Sequence, residues 1–406
     1  MHMVRIHRLI MIMLALLLVI GLRPVEQARA QLTAASSWTA WLYGAQFGEL
    51  RLVQPNGDTL DRLTLPLAQG FDSYGEHIAV SPSGSFVVYT ARDTTTGQNS
   101  QQMFVYERPL GSLAASYALN PATASTTLDL YPTSASFSEN TFEVAFSHLI
   151  WEDGTDPSDS RWEVVVLNYR SGMASATLTS DDYDAESFVL PVVWDYVDGV
   201  VRFALVPYAT EMPPLVDLLA WDIASGEVSE GGVVSLWADR LPSTGEVIFP
   251  SLDERLPEPQ QRGMGPFALN TVQVIQPEPD ALPARFPFYA ADDVPLWRAY
   301  FVQNGERVLV DLMDDESWRL VERSGDVVAA LDLPDSAQRV FATPDGFVYL
   351  DEGLTHVNTR DGSFESETNW ANDPGNPLRL VHVTSVASMP AEWMPWARLA
   401  EPVRGQ

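Results

Sequence analysis

The stretch WEDGTDPSDSRW, residues 151–162, places Asp153, Asp156 and Asp159 within seven residues of one another. Carboxylate oxygens gathered in this way are the ligands that a hard cation such as Ca²⁺ takes. The spacing is not the D-x-D-x-D-G of a calcium hand, and the plainer reading is a long solvated loop between two strands. Trp151 and Trp162 flank the loop. Their rings could stack on a sugar or a protein partner, or pack inside the fold. Asp181, Asp182 and Asp184, and the pairs Asp292–Asp293 and Asp314–Asp315, admit the same choice between cation and water.

Other chemistries are excluded by composition. The chain has no cysteine and no lysine, so all 24 basic residues are arginines. Disulfides, thiol nucleophiles, Cys-based metal centres, Schiff-base lysines and the phosphate-binding Gly-Lys-Ser/Thr loop are therefore impossible. Beyond residue 30 the histidines are His77, His148, His356 and His382. No HExxH helix is present. The nearest string to a Gly-x-Ser-x-Gly elbow is GFDSYG (70–75), which has one residue too many. His356 in LTHVN and His382 in LVHVT read as half-buried strand residues. No catalytic residue and no cofactor is expected, calcium at the acidic loop excepted.

The net charge is −30, and −33 once the four Arg and one Glu of the first thirty residues are removed. Such a surface repels nucleic acid and anionic lipid. The first thirty residues read as a signal peptide. Arg5 and Arg8 precede the apolar run LIMIMLALLLVIGL (9–22), and Ala28-Arg29-Ala30 has the small-x-small pattern of a cleavage site. The run is short for a spanning helix, which needs about 20 residues, though its flanks could extend it into an uncleaved anchor. Either way the body is expected to be exported, to the periplasm, the cell surface or the medium.

The elements that would position any site repeat along the chain. SPSG (81–84), FSEN (137–140), YVDG (196–199), PSTG (242–245), VQNG (302–305) and TPDG (343–346) recur at intervals of roughly 40–60 residues, each followed by a β-branched or aromatic run. A second series, ending at Gly57, Gly111, Gly172, Gly226, Gly325 and Gly362, interleaves with it and skips one unit, where ALNTVQVIQPEP carries the strand. Asn-Gly and Asp-Gly favour tight hairpins because both residues tolerate positive φ. Two hairpin turns per unit make four strands, the blade of a β-propeller. The chain starts its blades at residues 38–43 without a preceding strand, and LRLVHVTSV (378–386) is a spare strand at the other end. Pairing the two would close a ring of seven antiparallel four-stranded blades and remove the sheet edges. The expected organisation is a signal peptide over 1–30, one all-β propeller over 31–390, and a tail over 391–406.

IAVSPSGSFVVYT and FATPDGFVYL resemble the SPDG hairpin of TolB-type and WD-like propeller repeats. LLAWDIASGEV resembles the WD-repeat strand and turn. No blade carries the full Gly-His…Trp-Asp pattern. The resemblance implies a protein-interaction or scaffold propeller at the cell envelope and supplies no functional residues. Two stretches break the blade pattern. One is the insertion LDERLPEPQQRGMGPFALN (252–270), whose Arg262, Met264 and Phe267 suit a partner-contacting loop or a flexible connection. The other is the tail, with Trp393, Met394 and Trp396, which could pack under the ring or stay mobile.

The expected function is a non-catalytic, monomeric scaffold binding an envelope or extracellular protein or a glycan. The alternative is a propeller-type carbohydrate-active enzyme, a glycoside hydrolase or lyase, using carboxylates and Trp in the central funnel.

Overall fold

Turn chemistry sets the hairpins. In the computed structural model, which describes residues 38–93, 101–119, 126–130, 136–151, 156, 160–182, 189–207, 216–235, 238–241, 244–251, 269–275, 284–289, 296–312, 317–334, 337, 339–360, 366–372 and 375–385, glycines of both turn series take positive φ. At YVDG, Asp198 (φ 51°) and Gly199 (φ 81°) form the two-residue link between paired Val197 and Val200. That is the mirror-image turn whose twist suits a tight hairpin. FSEN differs in detail: the left-handed residue is Phe142 (φ 58°), two positions beyond Asn140. TPDG closes Thr343 onto Gly346 without a positive φ.

These hairpins build seven antiparallel sheets, each a blade of four strands. Blade two runs through Ser73–Val80, Phe86–Arg92, Gln101–Glu107 and Ser112–Ala118 in that order, so SPSG joins its first two strands. Blade three has a first strand in two pieces, Thr126–Leu130 and Phe137–Ser138, both paired with Glu143–Trp151. Blades four, five, six and seven span 189–234, 239–289, 296–331 and 340–371. Blade one has the order Arg379–Ser385, Trp38–Gly44, Glu49–Val53, Thr59–Thr64. Its innermost strand therefore comes from the far end of the chain, and the ring is closed as the sequence anticipates. Trp41 stands opposite His382, with a register shift after it, and its Nε1 donates to Thr384 Oγ1 at 2.8 Å.

Packing follows from stacking blades face to face. Middle strands are covered on both sides, so they read as continuous apolar runs: Phe86 to Ala91 is buried throughout. Fourth strands face water and are mostly exposed or half-buried, as in Thr59–Thr64 and Met173–Thr179. Between blades two and three, Val88, Met103 and Val105 meet Phe137, Phe146, Val165 and Tyr169. Trp221-Asp222 ends the third strand of blade four as the WD-like motif implies. Trp221 is buried, the Asp222 side chain accepts the Ser225 N–H at 2.8 Å, and Gly226 (φ 75°) completes the turn.

Polar groups then latch each blade to the next. Arg108 of blade two donates to Asp61 of blade one at 2.7 Å, and Ser83 of the SPSG turn donates to Glu139 of the FSEN turn at 2.6 Å. Tyr196 of blade four donates to Glu143 of blade three at 2.7 Å, and Arg323 of blade six pairs with Glu246 of blade five at 3.0 Å. Thr359 of blade seven donates to Gln303 of blade six at 3.1 Å. At the closure, Asn376 donates to Glu49 at 2.7 Å. Burial alone would raise the Glu49 pKa, but hydrogen bonds and charge from Arg51 and then Arg62 hold it below the usual carboxylate range. The motif turns thus fix blade to blade, which is a scaffold role.

Candidate functional site

The first strand of each blade is the innermost. Those of blades five (Asp239–Arg240), six (Leu296–Val302), seven (Val340–Thr343), one (Arg379–Ser385) and two (Ser73–Val80) touch one another in succession. They form a continuous inner wall. Aligned on the first-series turn glycine, this wall repeats a basic residue seven positions earlier: His77 before Gly84, Arg298 before Gly305, Arg339 before Gly346. Equivalent positions on successive blades lie at one height around the ring, so a recurring side chain becomes a cluster.

Arg339 is exposed, and the protein around it partly desolvates its charge. Its guanidinium lies 4.7 Å from the centre of the Phe341 ring, and among the described residues it makes no hydrogen bond and no ion pair. Desolvation pulls its pKa down, Asp239 and Tyr300 oppose that, and the like charge of Arg379 adds to it. Arg379, also exposed, stands 5.7 Å over the Tyr43 ring, and half-buried Arg298 stands 5.7 Å over Trp297. Three blades in succession therefore carry an arginine on this wall.

The anionic side is thinner. Asp239 Oδ2 accepts the Phe301 N–H at 2.8 Å, linking blade five to blade six. Burial pushes its carboxyl up to about 7, against its backbone hydrogen bonds and the charge of Arg339. Tyr300 is buried against Trp318, ring centres 6.1 Å apart, and burial raises its phenol to about 12.

His382 is only 8 % exposed, edge-on to Trp41 at 6.4 Å, with Nε2 buried and unpartnered among the described residues. Burial first, then the charge of Arg339, lowers its pKa to about 4, against a hydrogen bond to the Pro82 backbone. The imidazole is thus neutral in the fold. A base depressed from 6.5 to about 4 gives stability that is complete above 6.5 and is lost as pH falls toward 4, because the unfolded chain takes the proton first. His382→Gln is expected to flatten the acid limb of the stability profile between pH 6.5 and 4 by about 3 kcal/mol at most. Urea unfolding at pH 4.5 and 7.5 checks this, and an unchanged pH slope would refute it.

His148 and His356 serve the framework. His148 is buried and paired with Glu163 at 3.0 Å, and its hydrogen bond is the leading cause that holds the Glu163 carboxyl low. His356 is half-buried, as its strand position implies, and pairs with Asp345 of the TPDG turn at 3.1 Å beside Trp38.

Of the residues singled out in the sequence, Asp156 is exposed, while Asp153 and Asp159 lie outside the described residues. Among the described residues no three His, Asp or Glu side chains group as metal ligands. Trp151 ends the strand Glu143–Trp151, its side chain not described. Trp162 is 2 % exposed and packs 6.1 Å from Phe203 between blades three and four. Arg262, Met264 and Phe267 lie outside the described residues, as do the first thirty residues and the tail. The inner-wall cluster escapes a motif search because it is spread over four blades.

No sequence family matches the chain, and no curated protein matches it in sequence. In fold it is similar to the β-propeller domain of the trilobed protease from Pyrococcus furiosus, at 11 % identity over 81 % of this chain and 88 % of that one, TM-score 0.45. It is also similar to an oligogalacturonate lyase solved with manganese (11 % identity, 85 % and 90 % covered, TM-score 0.46). A third is the propeller domain of Swd1 from Myceliophteria thermophila (9 % identity, 82 % and 98 % covered, TM-score 0.40). The chain's own seven antiparallel blades make it a seven-bladed β-propeller, and no role is taken from these likenesses.

Proposed function

We propose that the chain is an exported, non-catalytic binding propeller, monomeric, acting at the cell envelope on a protein or glycan, with its inner wall as the place where a ligand sits. The observation that carries this reading is Arg339, an accessible guanidinium that no hydrogen bond or ion pair among the described residues engages. A charge crowded by protein and left unpaired is costly unless something outside the fold completes it. The blade hairpins are read as TolB-type from SPSG and TPDG. Export rests on the residues 1–30 pattern; among the described residues no helix is long and apolar enough to cross a membrane. Calcium at Asp153, Asp156 and Asp159 stays an open proposal that a thermal shift with Ca²⁺ decides.

The test is capture from an envelope extract together with a glycan array, using protein recovered from an expressing envelope and its N-terminus sequenced. Specific binding to one class, on a chain beginning at Gln31, is expected. Binding to neither sinks the reading.

The rival reading, a carbohydrate-active enzyme, has one observation of its own. Asp239 is a carboxyl held near 7 on the inner wall, where a proton donor could work at neutral pH. Release of new reducing ends from any array glycan, abolished in Asp239→Asn, would replace the scaffold reading with this one.

A further inference from the structure

We propose that the inner wall of blades six, seven and one binds the oxyanion group of a small ligand, a carboxylate or a phosphate, with Arg339 as the principal contact and Arg298 and Arg379 beside it. The inference rests on the inner wall being the binding place and adds the chemistry of what binds.

Like charges do not gather without cause. In a chain of net charge −30 with only 24 arginines, any cation has many acidic neighbours to choose from. Elsewhere the fold uses them so: Arg202 and Arg240 hold Asp195, Arg323 holds Glu246, Arg108 holds Asp61. On the inner wall Arg339 departs from this use, making no hydrogen bond and no ion pair among the described residues. Arg298 and Arg339 occupy the same repeat position on adjacent blades, and Arg379 on the next blade is near enough to oppose the charge of Arg339. Asp239, the carboxyl whose charge acts on Arg339, accepts the backbone N–H of Phe301. His382 brings no compensating negative charge.

A guanidinium presents five N–H donors in a planar fork that matches two oxygens of a carboxylate or phosphate. The Arg339 guanidinium carbon stands 4.7 Å from the centre of the Phe341 ring, a cation–π contact that uses none of its N–H donors. A metal cation would meet the like charges of Arg339 and Arg379 here. A polyanion such as nucleic acid would first meet the acidic exterior, whereas a small anion feels that exterior only within a Debye length of about 8 Å at physiological salt.

The experiment is calorimetric titration of the full chain at low and at physiological ionic strength with two probes, inorganic phosphate and tartrate. Saturable binding of either probe is expected; phosphate alone marks a phosphoryl group, tartrate alone a carboxylate, and both a general oxyanion seat. Arg339→Gln is expected to weaken that binding about tenfold or more, Arg339→Lys to restore part of it, and exposed Arg360→Gln, in the outer turn of blade seven, to leave it unchanged. Arg339→Gln loses no hydrogen bond or ion pair and sheds a desolvated charge, so the variant should unfold at or above the wild-type temperature, which separates lost binding from lost fold. No heat with either probe, or equal affinity in wild type and Arg339→Gln, overturns the proposal. If envelope or glycan capture is specific while neither probe gives heat with the wild type, the scaffold reading stands and the oxyanion seat falls.

Discussion

Trp41→Ala is expected to cost about 4–5 kcal/mol of stability and to loosen the ring at one seam. A buried Trp→Ala substitution removes about 3–5 kcal/mol through lost transfer energy and the cavity left behind. Trp41 is fully buried, packs with Tyr43, Leu50, Leu52 and Val87, and carries Arg108 5.1 Å over its ring. It also gives the 2.8 Å hydrogen bond to Thr384, a side-chain tie between strands more than three hundred residues apart in sequence. The loss should therefore be local as well as global. Amides of 379–385 should exchange much faster, because this strand is joined to its blade only through Trp38–Gly44. Trp318→Ala in blade six is the control: a comparable packing loss with no effect on exchange at the seam. A cost below about 1.5 kcal/mol, or exchange rising equally in both variants, would mean that the seam does not depend on Trp41.

Arg202→Leu comes second, at about 3–5 kcal/mol. Asp195 is completely buried, directly opposite Arg202 in the hairpin of blade four. Arg202 Nε donates to Oδ1 at 2.8 Å and its Nη2 reaches Oδ2, while Arg240 of blade five holds Oδ2 from the neighbouring side. Removing Arg202 leaves a buried carboxylate with one cation, and the desolvation of that charge is the cost. Removing both charges in Asp195→Leu/Arg202→Leu should restore a substantial part, since the uncompensated ion is gone. Chemical denaturation of the two singles and the double gives the cycle; additive costs would show that the pair is not coupled.

How much of this was open to the sequence depends on the range of each interaction. Hairpins were legible because turn geometry is local: Asp198-Gly199 announces its own backbone. The closure was legible because counting strands leaves one missing at residue 38 and one spare at 378. Burial of Trp162 was also within reach, as Trp162, Val164 and Val166 share one face of their strand and all are buried. Latches such as Ser83 to Glu139 were not, since they depend on how neighbouring blades stack. The inner-wall arginines were hidden for another reason. In a single strand, Arg298 in LWRAYF or Arg339 in QRVFAT looks like an ordinary polar position. Only superposing the blades on their turn glycines shows that the position recurs and that closing the ring brings the copies together.

The most direct measurement is a difference electron-density map of crystals soaked in tartrate. The account predicts density on the inner wall with two oxygens facing the guanidinium of Arg339, Arg298 and Arg379 alongside. Density confined to the outer loops, or an inner wall left empty at saturating tartrate while phosphate soaks are equally blank, would contradict it.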